Sequence, residues 1–416
     1  MSTSQTLTER FAAGRATEET PEAMLARLVE FQPSEFPVVS LYLDARANQH
    51  GKRSYEPFVR KRMTELKRTF LSHSPELNSF TEDSVRIDRY LEEAPRPSAQ
   101  GVAIFACSAA NDFFDVGQFN VPFERNRLMV SDRPHLYPLA RVIDRYPRYA
   151  VVAADTNSAH IFAFAAGRAI DQRDVNNLDT REPRWGGWTL NHFERHVRDF
   201  EMRHAKEVIE VLERTLREDQ IDKVILAGDQ QTVIPLLRQQ MSKEVSNKVI
   251  DVISLGVDTA EEKILEESLK LIRRHNSLSD MEKVQRLMNE YRADDLAVAG
   301  AAQTIAALSN GQVEEMLIST NPNDLAFDAA EVNHVLRLYR PDDPQLPSLD
   351  HRSIADELVR LARQVSAAQV TFIEDANQLK QVGGVGALLR YRVSRDHATP
   401  YEESAAVAKT ESLVEV

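Results

Sequence analysis

Apolar and polar positions follow two periods along this chain, and the places where the period changes predict its elements. Val38-Val-Ser-Leu-Tyr-Leu43 and Gly101-Val-Ala-Ile-Phe-Ala106 are β-branched or aromatic runs bounded by polar residues, which predicts strands. Between them Phe58, Met63, Leu66 and Phe70 recur near the helical spacing, and Pro21 to Leu28 predicts a shorter helix. Phe113 to Val121 predicts an edge strand, and Pro134 to Tyr146 a turn and short helix. A second series opens with the apolar strand Tyr149 to Ala154, turns across Asp155 to Ser158, and continues as the strand His160 to Phe164. Asp171 to Arg184 is a polar connection. Phe193, Val197, Phe200, Val208, Val211 and Leu212 then predict a helix running to about Leu216. The strand Lys223 to Ala227, the helix Val233 to Gln240, the strand Val249 to Ile253 and the helix Thr259 to His275 follow.

A third series starts near Leu278. It has helices at Met281 to Tyr291 and Ala299 to Ser309, a strand at Val313 to Ile318, and a proline-punctuated loop from Pro341 to Pro347. The helix Ser353 to Ser366, the strand Gln369 to Ile373 and a glycine turn into a strand over Gly383 to Val393 close it. Strands alternating with helices predict an α/β fold, α+β overall. A chain of 416 residues is too long for one typical domain. The pattern divides it into residues 1–147, 148–277 and 278–398, with an acidic tail at 399–416, and residues 1–20 loosely ordered.

Composition narrows the function. No run approaches the ~18–20 apolar residues of a membrane span, and the start has no signal-peptide core, so a cytoplasmic location is expected. The lone Cys107, in an apolar setting, excludes an internal disulfide framework and predicts a buried strand thiol. The net charge of −13 argues against a general nucleic-acid coat. Yet eight cations face two glutamates between Arg46 and Arg68, an island that includes Lys52, Arg53, Lys61 and Arg62. Such an island is either a local polyanion site or a solvated helix face.

Arg184-Trp185-Gly186-Gly187-Trp188 carries the only two tryptophans, placed around a glycine pair just before the long helix. This predicts a closely approachable tip bearing exposed aromatics. Arg195, Arg198 and Arg203 follow as phosphate-contacting candidates, with His192, His196 and His204 adding donors. His192-Phe-Glu-Arg-His196 is not the zinc-protease pattern, and no metal or cofactor is expected. Asp155 and Asp229 follow strands, where they read as turn formers or as metal-binding carboxylates.

Three of these signals, in order, resemble the archaeal and eukaryotic class-one release factor and Pelota superfamily, most closely its bacterial, Balon-like hibernation branch. Val39 to Leu43 with Gly101 to Phe105 is similar to the paired strands of the N-terminal domain. Trp185-Gly186-Gly187 and the Phe193 to His204 helix resemble the Gly-Gly-Gln loop and its helix. Gly383 to Val393, supported by Gly311 to Ile318, resembles the closing strand of the C-terminal domain. The resemblance implies a mixed N-terminal domain facing the decoding site, an RNase H-like middle domain reaching the peptidyl-transferase centre, and an α/β sandwich facing a translational GTPase or the large subunit. It gives the basic island and the arginines 16S and 23S rRNA as partners, with elongation factor Tu or another GTPase alongside. Trp188 stands where the glutamine would be; an indole offers one donor, no acceptor and much bulk. The expectation is therefore a ribosome-binding hibernation factor of the A site without required catalysis. Two alternatives stay open: a peptidyl-tRNA hydrolase or release factor, for which the nearest downstream glutamine is Gln220, and a metal-dependent RNase using Asp155 and Asp229.

Overall fold

A computed structural model describes residues 20–46, 53–93, 95–176, 190–339 and 349–392, with side chains except at 176 and 190–198. These residues form two compact units, one made of 1–145 with 277–416 and the other of 146–276. Three sheets with flanking helices make a mixed α/β architecture, as the alternating pattern predicts.

The first segment begins with helix α1 (Pro21–Val29), capped by the Thr20 hydroxyl accepting from the Ala23 amide. Strands β1 (Val38–Asp44), β2 (Gly101–Cys107), β3 (Phe113–Phe119) and β4 (Arg127–Ser131) pair antiparallel in the order β3-β2-β1-β4. β3 lies at the edge, as expected, and Cys107 is buried. Helices α2 (Glu56–Lys67) and α3 (Pro75–Glu93) cover one face, with Val59, Met63, Phe80 and Ile87 packed on Val39, Leu41, Val102 and Ile104. The periodicity did not predict α3. Its buried stripe reads Ser79, Phe80, Asp83, Ile87, Tyr90, so two polar residues break the apolar repeat. Helix α4 (Tyr137–Arg145) ends the segment.

In the unit 146–276, strands β5 (Tyr149–Ala154), β6 (Ser158–Ala165), β7 (Arg168–Asn176), β8 (Val224–Ala227) and β9 (Val249–Ile253) form one sheet in the order β7-β6-β5-β8-β9. β6 is antiparallel to both neighbours, while β5, β8 and β9 run parallel, which is the RNase H-like arrangement. β7 corrects the polar connection expected from Asp171. As an edge strand with one pairing neighbour it needs no apolar face of its own. Helix α5 (Leu190–Glu218) lays Ala205, Val208, Ile209, Leu212 and Leu216 on one side of the sheet, joined by α6 (Val233–Gln240) through Ile234 and Leu237. Helix α7 (Lys243–Lys248) leads into β9. On the other side the sheet meets α8 (Glu261–Arg292) through Ile264 and Ile272. The two helices expected on either side of Leu278 are this one continuous helix; Asn276 to Asp280 read as a break by propensity alone.

The last segment is built on β10 (Ala297–Ala299), β11 (Val313–Ser319), β12 (Gln369–Ile373) and β13 (Val385–Leu389), ordered β10-β13-β11-β12 with only β11 and β12 parallel. Helices α9 (Ala301–Ser309), α10 (Ala329–Tyr339) and α11 (His351–Gln364) flank it. α10 was not predicted by the pattern. The glycine turn is as expected: Gly383 and Gly384 have φ of 89° and 76°, a region closed to most side chains.

This segment packs on the first. Asp356 on α11 accepts from the Leu136 and Tyr137 amides at 2.9 and 2.8 Å, and its other oxygen meets His135 Nδ1. Tyr137 donates its hydroxyl to the Ser319 carbonyl and sets its ring edge-on to Phe372, centroids 5.0 Å apart. Arg360 and Gln364 both donate to the Val29 carbonyl, at 2.7 and 2.8 Å. Buried and half-buried donors and acceptors from the two segments thus pair with one another.

Candidate nucleic-acid interface

Most of the basic island lies on or just after α2, whose buried positions Val59 and Met63 fix which face turns outward. Arg60, Lys61, Lys67 and Arg68 are exposed on it. Arg62 pairs with Glu65 at 2.7 Å and Lys61 with the same carboxylate at 3.9 Å. Such exposed pairs hold charge weakly, at ~0.3–0.5 kcal/mol, and leave the cations available to a polyanion. Arg46 grips Asp44, with contacts of 2.6 and 2.9 Å. Arg53 is half-buried and donates to the carbonyls of Pro95 and Arg96, so its guanidinium holds a loop in place. Lys52 lies outside the described residues.

The tip Trp185, Gly186, Gly187 and Trp188, with Arg184, also lies outside the described residues. Arg195 and Arg198 fall on the first turns of α5, where side chains are not described, as do His192 and His196. Arg203 is exposed on the same helix and donates to the Asp199 carbonyl at 3.3 Å. His204 is buried beside Ala205 and cannot serve as a surface donor, contrary to expectation. Consecutive helical positions differ by about 100° around the axis, which turns His204 to the core while Arg203 beside it faces solvent. Gln220 follows α5 on a turn with φ of 52°.

Asp155 and Asp229 stabilise turns. Asp155 accepts from the Asn157 and Ser158 amides, both at 2.7 Å, and Asp229 from the Gln231 and Thr232 amides at 2.9 and 2.8 Å. The Thr232 hydroxyl, donating at 2.8 Å, and then these two amides hold the Asp229 carboxyl below its usual range. Among the described residues no group of three or more His, Cys, Asp or Glu is placed to hold a metal ion.

The structure brings together a second basic site that the sequence did not reveal. Arg62 of α2, Arg125 and Arg127 at the start of β4, and Arg352 on the first turn of α11 line a cleft of about 230 Å³. All belong to the unit made of 1–145 and 277–416. Phe58, Leu128 and Met129 supply apolar wall; Asn126, Asn321 and Asn323 supply polar edge. Asn126 is fixed by its Oδ1, which accepts from the Asp44 amide at 2.8 Å. Glu124, the adjacent carboxylate, is consumed by Arg141 and Arg145 at 2.6 Å each. Among the described residues the guanidiniums of Arg125, Arg127 and Arg352 have no carboxylate partner, although the Arg352 amide donates to the Asp350 carboxylate at 2.9 Å. Burial, then repulsion from Arg125, Arg141 and Arg352, holds the Arg127 guanidinium below its ordinary pKa. Glu124 offsets part of this repulsion and Arg62 keeps Glu65 as its partner, so the concavity holds an excess of positive charge.

Comparison with known proteins fits this architecture. Residues 134–273 match the profile of Bacterial archaeo-eukaryotic release factor family 10, and residues 277–393 that of eRF1 domain 3. The chain is 24% identical over 276 residues to the uncharacterized protein Rv2629 of Mycobacterium tuberculosis (strain ATCC 25618 / H37Rv), which covers 64% of this chain and 71% of that protein. Among solved structures, Dom34 of S. cerevisiae, a translation termination-like factor, aligns with 72% of this chain and 81% of its own, at 11% identity and a TM-score of 0.40. The archaeal translation termination factor aRF1 aligns with 90% of this chain and 99% of its own, at 15% identity and a TM-score of 0.23. The two profiles adjoin and together span the middle and last segments, so the chain is a bacterial archaeo-eukaryotic release factor-like protein.

Proposed function

We propose that this protein is a ribosome-binding translation factor that occupies the A site of idle ribosomes and promotes their hibernation. The observation that carries this reading is the run of two release-factor profiles, one after the other, along residues 134–393. In this reading residues 1–147 face the decoding site, 148–277 extend the tip to the peptidyl-transferase centre, and 278–398 face elongation factor Tu or another translational GTPase. Two features of the chain support it. Trp188 takes the place of the glutamine that would position water against a peptidyl-tRNA ester, so the tip offers stacking surface instead, worth about 1–3 kcal/mol per base. The exposed cations of α2 supply phosphate contacts that position a domain on rRNA without reading sequence. The factor acts in the cytoplasm; among the described residues no helix is long and apolar enough to cross a membrane.

The test is to mix the purified protein with empty ribosomes and with ribosomes carrying peptidyl-tRNA, scoring co-sedimentation and peptide release together. Stoichiometric binding without release is the expected result; release at useful rates would make the protein a hydrolase, and absence of binding would remove the ribosome from the account. Trp188→Ala should weaken binding more than Trp188→Phe, and equal affinities would reject the stacking contact.

A further inference from the structure

We infer that the arginine cleft is a seat for one nucleotide, with its phosphates on Arg125, Arg127 and Arg352 and its base against Phe58 and Met129. The inference goes beyond the ribosome reading, because the cleft and its charge stand on their own residues.

Three observations converge on it. The first is charge. Three guanidiniums without a carboxylate partner line one concavity, and Glu124, next to Arg125 in the chain, is engaged by Arg141 and Arg145. Clustering like charges is unfavourable in the free protein, and a ligand carrying two or more negative charges relieves it. Guanidinium forks match phosphate oxygens in pairs, where a lysine cluster would offer only point charges.

The second is shape and wall chemistry. The cleft is not uniformly polar, as a site for inorganic phosphate alone would be. Phe58 and Met129 form an apolar side, and aromatic and thioether surfaces are those on which a base packs. A volume of about 230 Å³ lies below the ~300 Å³ of pockets that enclose drug-sized ligands. It suits a single nucleotide unit, partly open to solvent, better than a dinucleotide cofactor.

The third is assembly. Arg352 comes from the last segment, Arg62 and Phe58 from α2, and Arg125 and Arg127 from the β4 entry. The hydrogen bonds of Asp356, four residues after Arg352, to Leu136 and Tyr137 tie α11 to the chain that follows β4, which fixes the base of Arg352 in the cleft wall. Asn126 sits between two of the arginines with its Oδ1 already bonded, which leaves its amide N–H groups as donors for a ribose or base edge.

Two sources present this chemistry: a free nucleotide, or a nucleotide splayed from single-stranded RNA. Titration calorimetry on the full-length protein distinguishes them, using ADP, inorganic pyrophosphate, adenosine and an unstructured eight-residue RNA as separate probes. ADP should bind more tightly than pyrophosphate, and pyrophosphate more tightly than adenosine. If the RNA binds more tightly than ADP, the seat serves RNA; if ADP wins, it serves the free nucleotide. The double variant Arg125→Ala/Arg352→Ala, both exposed positions whose loss leaves the core intact, should weaken the better probe by about tenfold or more. Phe58→Leu, which keeps apolar volume, should weaken ADP or RNA several-fold and leave pyrophosphate unchanged. Pyrophosphate binding as well as ADP and the RNA would overturn the inference, and so would unchanged affinity in the folded double variant or no binding of any probe. Ribosome co-sedimentation of the same variants is scored separately, so failure of the cleft does not count against ribosome binding, nor the reverse.

Discussion

Asp83 shows how much one side chain can decide. It stands in the buried stripe of α3, where its Oδ1 accepts from the Ser108 amide at 2.8 Å and its Oδ2 has no partner among the described residues. Burial raises its carboxyl to about 7, while the Ser108 amide and Arg86 pull the other way. The folded protein keeps this proton up to about pH 7, whereas an unfolded chain releases it near pH 3.9. Stability therefore falls as pH rises across that window. Asp83→Asn keeps the acceptor and removes the charge, so its melting temperature should be flatter between pH 5 and pH 8 than that of the parent. An unchanged slope would place the pH dependence elsewhere. Asp356 is the counterpart at the junction of the segments. Asp356→Ala strands the Leu136 and Tyr137 amides and His135, and should lower unfolding free energy in urea by about 3 kcal/mol. Of the cleft arginines only Arg62 was legible, because Arg352 and Arg127 are far apart in sequence and Glu124 hides the local charge of Arg125. Conversely, Arg53 reads as a surface cation yet holds backbone carbonyls, since charge counts carry no information on burial.

Elements were easier to read where one face is uniformly apolar. The helix Val233–Gln240 and the strand Val249–Ile253 have the bounds that their periodicity predicts. Elements that use polar core positions or an edge were missed: α3 by its Ser79 and Asp83, β7 by its place at the sheet margin. The glycines before β13 illustrate a signal with a single cause. A Cβ on Gly384 would lie 2.3 Å from the Asp324 carbonyl, and φ is already 76°. Gly384→Ala should cost about 3 kcal/mol or more, combining a close clash with left-handed strain of about 1–2 kcal/mol. Gly311 shares a positive φ of 70° but has nothing within 4 Å, so Gly311→Ala should cost only the strain. Paired denaturation curves separate the two contributions.

At the scale of the molecule, the tip at 184–188 lies outside the described residues, while the sheets and helices on either side of it are described. Ribosome binding should depend steeply on salt, and Lys61→Glu with Lys67→Glu on α2 should lower both affinity and that slope. An unaltered slope would leave α2 as solvated surface. The unit 146–276 has its own sheet and two buried clusters, so a fragment of those residues should melt cooperatively, whereas residues 1–145 alone should not.

The pairing of the first and last segments has a consequence in time. Synthesis yields His135 and Tyr137 long before Ser319, Asp356 and Phe372 exist to receive them. At ~5–20 residues per second, the nascent chain waits on the order of 10–50 s with that face uncovered, while residues 146–276 are made and can fold in between. A protein whose own completion depends on an uninterrupted ribosome is least easily made once translation has slowed. If the proposed hibernation role holds, its supply is expected to be laid down before the ribosomes it would bind fall idle.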